Sequence, residues 1–228
     1  MTTTITWLGH GCFQLQAAGT TILIDPFLTG NPAATAKAAD LSCDFIVISH
    51  GHGDHIGDTV SIARRTGALV IANYEITEWL SKQGVSKVHA LNTGGGHQFT
   101  FGRLKFTIAH HTSMLPDGSN GGNPCGLLFT FTDGKKLYHA ADTGLFYDMK
   151  LIGEEGIDLA ILPLGDNYTM GPDDALRAVK LINPRRVIPE HYNTCDLIAQ
   201  DPQKWAARVK QETSTEPVVL KPGESCTL

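Results

Sequence analysis

Ser49-His50-Gly51-His52-Gly53-Asp54-His55 follows directly on the apolar run Phe45-Ile46-Val47-Ile48. A continuous apolar run of this length reads as a strand buried on both faces. The segment after it places three imidazoles and a carboxylate within six residues, His50 to His55. Neutral imidazoles and carboxylates suit zinc, manganese, iron or nickel, and a strand end opening into a loop lets them converge on one point. Gly51 and Gly53 give that loop the freedom to fold back on itself. The competing explanation is a chance cluster of surface histidines, which the order and density of four potential ligands disfavours.

Further ligand-type residues stand at other strand ends. His111 follows the β-prone stretch Arg103 to His110, Asp142 follows Lys136 to Ala140, and His191 follows Arg186 to Pro189. A metal site between two sheets needs ligands delivered from the same end of several strands. Alternation along a straight strand would send His110 and His111 to opposite faces.

Around these points the chain alternates in character. Ile5 to Leu8, Cys12 to Gln16 and Thr20 to Ile24 are short strands punctuated by glycine, as in a meander. Pro26 to Ser42, rich in Pro, Gly, Asn, Ala and Thr, reads as a loop able to lie over a site. A helix is expected over Asp58 to Arg65, a strand over Leu69 to Ala72 and a helix over Glu75 to Gln83. Antiparallel signals return at Gln98 to Phe101, Arg103 to His110, Gly126 to Thr132 and Lys136 to Ala140. Asp133-Gly134 makes the turn between the last two. Leu159 to Leu164 is an apolar strand. Pro172 to Ile182 is a helix with proline at its start and Asp173-Asp174 in its first turn, where the helix dipole favours anions. Arg186 to Pro189, a helix over Pro202 to Glu212 and a last strand at Val218 to Leu220 complete the order. Two packed mixed sheets with helices outside, an α/β (α+β) arrangement, accommodate it. No internal linker interrupts residues 1–228, which read as one domain.

Composition narrows the function. The chain has 228 residues, 42% hydrophobic and 18% charged, with a formal charge of −5. That balance fits a globular enzyme and argues against a polyanionic partner, which selects basic patches. The only basic doublets are the isolated pairs Arg64-Arg65, Lys135-Lys136 and Arg185-Arg186. The five cysteines (Cys12, Cys43, Cys125, Cys195, Cys226) match neither a metal clip nor a disulfide framework. Free thiols in a reducing compartment, no signal peptide and no apolar segment of membrane-spanning length point to the cytoplasm.

The pattern H-x-H-x-D-H, followed at long intervals by a His, an Asp and a His, resembles the metallo-β-lactamase superfamily. The resemblance sharpens at Trp7-Leu8-Gly9-His10, Ile24-Asp25-Pro26, His111-Thr112-Ser113, Tyr138 to Gly144, Pro163 to Asp166, Thr169 to Pro172 and His191-Tyr192-Asn193-Thr194. These segments look like a family of small bacterial and archaeal metal-dependent hydrolases related to the ascorbate-phosphate lactonases. The resemblance implies a four-layer αβ/βα sandwich of two mixed sheets flanked by helices. It implies that His50, His52 and His111 hold one divalent metal, that Asp54, His55 and His191 hold a second, and that Asp142 bridges them. Zinc comes first, with manganese, nickel and iron as alternatives. Two cations about 3.5–4 Å apart make a bridging hydroxide available near neutral pH. Asp54 and Asp142 are then the catalytic carboxylates. Two departures stand out: Ala141 precedes Asp142 where the family usually shows glycine, and Glu190 precedes His191 where an apolar residue or Met is usual. The first would crowd the bridge; the second either adds negative charge near the site or points outward.

Other residues have weaker claims. Asp25 is either a carboxylate orienting a metal-bound histidine or a turn former. His10, between two glycines, is a substrate or proton-donor candidate with a structural alternative. Asp166 ends another strand and is a candidate to support the site. His139 is expected to pack or hydrogen-bond away from Asp142, and His89 and His97 read as surface histidines. The Thr112 to Pro124 loop is placed to shape a pocket.

The leading reading is hydrolysis of a small ester, lactone or phosphoester, with a small-molecule substrate, no nucleic acid, no membrane, and a homo-oligomer left open. A ribonuclease or phosphodiesterase of the same type is the rival, weakened by the missing basic stripe. A mononuclear iron dioxygenase is a third class. Flavin-linked oxygen reductases of this fold carry an acidic ligand where His52 stands. A degenerate binding protein is opposed by the presence of all seven ligands.

Overall fold

The structure, a computed structural model, describes residues 2–228. Its first sheet begins with an antiparallel meander: β1 (Thr4–Gly9), β2 (Cys12–Ala17) and β3 (Thr20–Ile24). From β3 it continues in parallel through β4 (Phe45–Val47), β5 (Leu69–Ala72) and β6 (Val88–Ala90). The second sheet repeats the plan. β7 (Gly96–Phe99), β8 (Gly102–Ile108), β9 (Cys125–Phe131) and β10 (Lys136–His139) are antiparallel neighbours. From β10 the sheet runs in parallel through β11 (Leu159–Pro163), β12 (Arg186–Glu190) and β13 (Glu216–Pro217). The chain then returns to the first sheet, where β14 (Ser225–Thr227) pairs antiparallel with β1. Each sheet has seven strands.

Side-chain alternation divides the interior into layers. On β4, Phe45 and Val47 face the core between the sheets, while Ile46 and the following Ile48 face the helices. Those helices are α2 (Thr59–Thr66) and α3 (Tyr74–Lys82), whose apolar stripes, Ile62 with Ala63 and Ile76 with Leu80, close the outer layer of the first sheet. On the second sheet α4 (Met149–Gly153), α5 (Pro172–Ile182) and α6 (Pro202–Glu212) do the same through Met149, Val179, Trp205 and Val209. Between the sheets, Phe13, Phe101, Phe106 and Phe129 have no exposed surface. The expected sandwich of two mixed sheets flanked by helices is the one observed.

Several local expectations are corrected. A one-turn helix, α1 (Gly53–Ile56), lies inside the histidine-rich segment, where a loop was expected. The last strand of the second sheet is Glu216–Pro217; Val218 to Leu220 is not a strand, although the Val218 amide still donates to Val187. The strand expected at Gln98 to Phe101 is shifted to Gly96–Phe99, because a turn occupies Thr100-Phe101. β6, α4 and β14 were not anticipated. Val-His-Ala and Ser-Cys-Thr are too short and too polar to show a period.

The strands that matter for chemistry point the same way. β1, β3 and β4 in one sheet, and β8, β10, β11 and β12 in the other, all end at one edge of the sandwich. The chain leaves these ends sharply. Of nine non-glycine residues with positive φ among the described residues, only Ala18 and Asn183 lie elsewhere; His10, Asp25, Ala141, Asp166, Asn167, His191 and Asn193 all sit at this edge. A left-handed non-glycine residue costs about 1–2 kcal/mol, and such strain collects at functional sites. Ala141 has φ +53°, so the departure noted in the sequence has its cost in a backbone conformation that glycine adopts freely.

Gly57 secures α1 against β3. Its φ is +41°, and a methyl group there would lie 2.5 Å from the Pro26 carbonyl oxygen and 2.6 Å from the Phe27 Cα. Gly57→Ala should therefore destabilise the fold by more than about 1 kcal/mol, read as a lower urea midpoint at unchanged slope. An unshifted midpoint would mean that the Pro26-Phe27 turn yields without cost.

Candidate metal centre

The edge where these strands end gathers all seven residues expected from the sequence. His50, His52 and His111 form one group whose ligating atoms lie within 4.8 Å of one another. His50 Nε2 stands 3.0 Å from His52 Nδ1. Asp54, His55 and His191 form a second group, which His10 joins. Asp142 lies between the two. Its Oδ2 is 4.0 Å from His50 Nε2, 3.5 Å from His111 Nε2 and 3.2 Å from His191 Nε2, and its Oδ1 is 3.4 Å from His55 Nε2.

Local structure explains each placement. Asp54 and His55 ride on α1, so one helical turn presents both toward the site. β8 ends at Ile108, which makes strand alternation irrelevant to His110 and His111. Instead, the His110 amide donates to Thr143 Oγ1 and its carbonyl accepts from the Gly144 amide. Its ring lies against Phe146, and His111 turns into the cluster. Gly11 leaves room for the centre: a methyl group there would come within 3.0 Å of His55 Cε1.

A layer of hydrogen bonds orients the cluster. Asp25, with no exposed surface, accepts the Ser49 amide at 2.8 Å and the Ser49 hydroxyl, and faces His55 Nδ1 at 2.8 Å. Engaged by Asp25 through Nδ1, the His55 ring turns Nε2 inward. The geometry thus favours the orienting reading of Asp25 over the turn former, although its φ of +43° shows that it turns the chain as well. His10 is held by Thr194 Oγ1 at 2.8 Å and contacts Asp54 Oδ2 at 3.2 Å. Ser113 Oγ accepts the Gly51 amide, tying the loop after β8 to the segment after β4. Ser49, Ser113 and Thr194 stand in the quoted sequence segments without an assigned role. The one available signal was their adjacency to ligand residues at strand ends.

The other residues weighed in the sequence stand outside this set of seven. Asp166 is exposed and engaged in its own turn, accepting the Asn167 amide at 2.9 Å. His139 is buried, packs edge-on to Phe13, and accepts the Ala141 amide at 3.0 Å through Nδ1. Glu190 does not point outward. It is fully buried, neither of its carboxylate oxygens has a hydrogen-bond partner, and burial pushes its carboxyl up to about 8. His89 and His97 pack against each other and Phe99, away from the cluster.

Electrostatics follow from crowding. Burial, reinforced by neighbouring His55, drives the His50 ring well below the usual imidazole range, so it is neutral. Burial also opposes charge on Asp142, but His191 and His55 outweigh it and keep the carboxylate ionised. At Asp54 burial is likewise overcome, by the hydrogen bond from His10 and by His55, and the carboxyl is held below its usual range.

The donor set fits divalent metals of the zinc group. Imidazole nitrogens and carboxylate oxygens are the right chemistry. His55 Nε2, His191 Nε2 and Asp142 Oδ1 are buried without a hydrogen-bond partner, and buried polar atoms left unpaired in this way are costly unless a ligand meets them.

Fold and donor set together define a metal-dependent hydrolase of the metallo-β-lactamase type. Residues 20–192 match the family described as β-lactamase superfamily domain. A UPF0173 metal-dependent hydrolase of Bacillus cereus (strain G9842) is 49% identical over 230 residues, covering 98% of this chain and 99% of the relative. Igni18, a metallo hydrolase from Ignicoccus hospitalis, superposes with a TM-score of 0.91 at 37% identity, covering 100% of this chain and 99% of that one. An isothiocyanate hydrolase from Delia radicum gut bacteria shares the fold, with a TM-score of 0.79 at 22% identity, over 99% of this chain and 98% of that one. The chain belongs to the UPF0173 metal-dependent hydrolases of the metallo-β-lactamase superfamily.

Asp25→Asn keeps the size of the side chain while weakening its hold on His55 and Ser49. It should lower metal affinity or activity about 10–100-fold, measured by competition with a chromophoric chelator. Wild-type affinity and activity in this variant would reduce Asp25 to its role in the turn.

Proposed function

We propose that this chain is a dinuclear hydrolase of a small ester, lactone or phosphoester. The observation that carries the proposal is the convergence of five imidazoles and two carboxylates, with buried, unpartnered ligand atoms, on one point between the sheets. His50, His52 and His111 would hold one divalent cation, and Asp54, His55 and His191 the other, with Asp142 between them. Zinc leads, and manganese, nickel and iron remain alternatives. When bound, such a pair supplies Lewis acidity and an activated hydroxide near neutral pH.

The chain's own residues prepare that chemistry. Asp25 fixes the His55 ring, and the Ser49 hydroxyl, 3.0 Å from His50 Nδ1, fixes the His50 ring; Thr194 and His10 fix the Asp54 carboxylate. The neutral state of His50 leaves a lone pair free for a cation. Water would add across the acyl carbon–oxygen or phosphorus–oxygen bond, its oxygen joining the acyl carbon or phosphorus, while the leaving oxygen takes up a proton. No protein nucleophile is needed.

Among the described residues no helix is long and apolar enough to cross a membrane. All five cysteines are free, which accords with the proposed cytoplasmic setting. The nuclease alternative requires basic surface to follow a phosphate backbone, and affinity from that source is strongly salt-dependent. The net charge of −5 works against it.

Protein purified without added metal should carry close to two transition-metal ions per chain, and chelation should abolish hydrolysis; full activity at background metal overturns the proposal. Asp142→Ala should disturb both cations, whereas His50→Ala should chiefly weaken one site and His191→Ala the other. Normal binding of two metals in Asp142→Ala would remove the bridge. Titration with labelled single- and double-stranded oligonucleotides at low and moderate salt should show no salt-sensitive binding. Submicromolar binding with processive cleavage would favour the nuclease.

A further inference from the structure

The mouth of the centre continues into a groove. A cavity of about 430 Å³ is bounded by Ile108, Ala109, His110, His111, Asn123 and Pro124, with Thr93 at its rim. A second cavity, of about 260 Å³, lies beside it between β8 and α4, walled by Phe106, Leu128, Phe146, Leu151 and Ile152. Thr93 and Ile108 belong to both walls, so the two spaces adjoin. The far space is largely apolar. Lys105, Asp148 and Glu155 line it as well; Lys105 faces Glu155 at 3.9 Å, and Glu155 is also paired with Lys136 at 3.2 Å. Its apolar wall is open to solvent, with Ile108 42% and Leu151 61% exposed.

Exposed apolar surface recurs in the loops at this edge: Met114 after β8, Tyr147 after β10, Tyr168 after β11 and Leu197 after β12 are all more than half exposed. The same loops, 109–124, 140–148, 164–171 and 190–201, contain no Lys or Arg. They do contain Asp117, Asp148, Asp166 and Asp196. An anionic group on the body of a substrate would meet no complementary charge there, whereas hydrocarbon would be taken out of water.

We propose that the groove from His111 past Ile108 to Leu151 seats the apolar arm of an uncharged acyl substrate whose carbonyl lies at the histidine–aspartate cluster. The proposal rests on the hydrolytic reading above and selects, within it, neutral carboxylic esters or lactones bearing an alkyl or aryl arm. The adjoining cavities supply continuity with the site, and the absence of basic residues from the loops supplies the polarity of the occupant. Each methylene moved from water into such a groove favours binding by up to about four-fold. The groove thus sets specificity by arm length.

The test uses the metal-loaded enzyme and a series of 4-nitrophenyl esters from acetate to decanoate, kept below their aggregation limits. The value of kcat/KM should climb with chain length by up to about four-fold per methylene and level off once the groove is full. In Leu151→Asp, a change at an exposed position, the octanoate-to-acetate ratio should fall at least about ten-fold. A flat or falling profile in the wild type, or an unchanged ratio in the variant, overturns the proposal. Binding of 2-decanone, a neutral carbonyl that cannot be hydrolysed, is followed in parallel through the methyl resonances of Ile108 and Leu151. Inert esters together with shifted methyls would sink the hydrolytic reading and leave the groove standing. Cleaved short esters, unshifted methyls and a flat profile would do the reverse.

Discussion

Asp142 is 3% exposed and faces imidazole nitrogens of His50, His55, His111 and His191 within 4.0 Å. Its charge is the constraint on which the centre depends. A lone buried carboxylate would protonate, since burial disfavours ionisation. Here His191 and His55 hold it ionised. The rings in turn crowd one another: His50 lies 4.1 Å from His55 by ring centroids, and burial together with that proximity keeps it neutral. A cluster of this composition does not satisfy itself internally: five imidazoles and two carboxylates crowd one space, and His55 Nε2, His191 Nε2 and Asp142 Oδ1 are left buried without hydrogen-bond partners. Divalent charge at its middle would answer that deficit, and the family's metal dependence accords with it.

The two sheets share the work of holding these groups. β3 and β4 supply Asp25, the histidine segment and α1; β8, β10 and β12 supply His111, Asp142 and His191. His10 comes from the end of β1 and reaches Asp54. Rigid strands fix where each residue starts, and short left-handed turns fix where it points. The conformational cost of those turns is set against the apolar layers, which bury nearly every large side chain of both sheets. Precision at the edge therefore draws on packing far from it.

Much of this was legible in the sequence because a metal site of the proposed kind would demand particular residue types at strand ends. The H-x-H-x-D-H segment, His111, Asp142 and His191 could be named without a fold, and the structure gathers all of them. What stayed hidden was relational. Nothing in the local sequence tells whether Glu190 points in or out, and only the path of β12 decides it. The choice between His110 and His111 came from family pattern, while its physical cause lies in two hydrogen bonds to Thr143 and Gly144, more than thirty residues away. Ser49 and Thr194 were quoted within longer segments without a role, because a hydroxyl that orients a neighbouring ring looks like any other. β6 and β14 carry three residues each, below the length at which alternation can be seen.

The pairing of β14 with β1 has a consequence for the newly made chain. Thr4 to Thr6 lie opposite Ser225 to Thr227, and the Trp7 amide donates to Glu224. At roughly 5–20 residues per second, roughly 10–40 s of synthesis separate these partners. Throughout that interval β1, already paired with β2, offers the ribosome's surroundings an open strand edge, a template for pairing with other chains. A loop closure of this span is also slow to find once both ends exist. The first sheet is thus begun early and sealed last, and β1 stays open to other chains until residues 225–227 have been made and have found it.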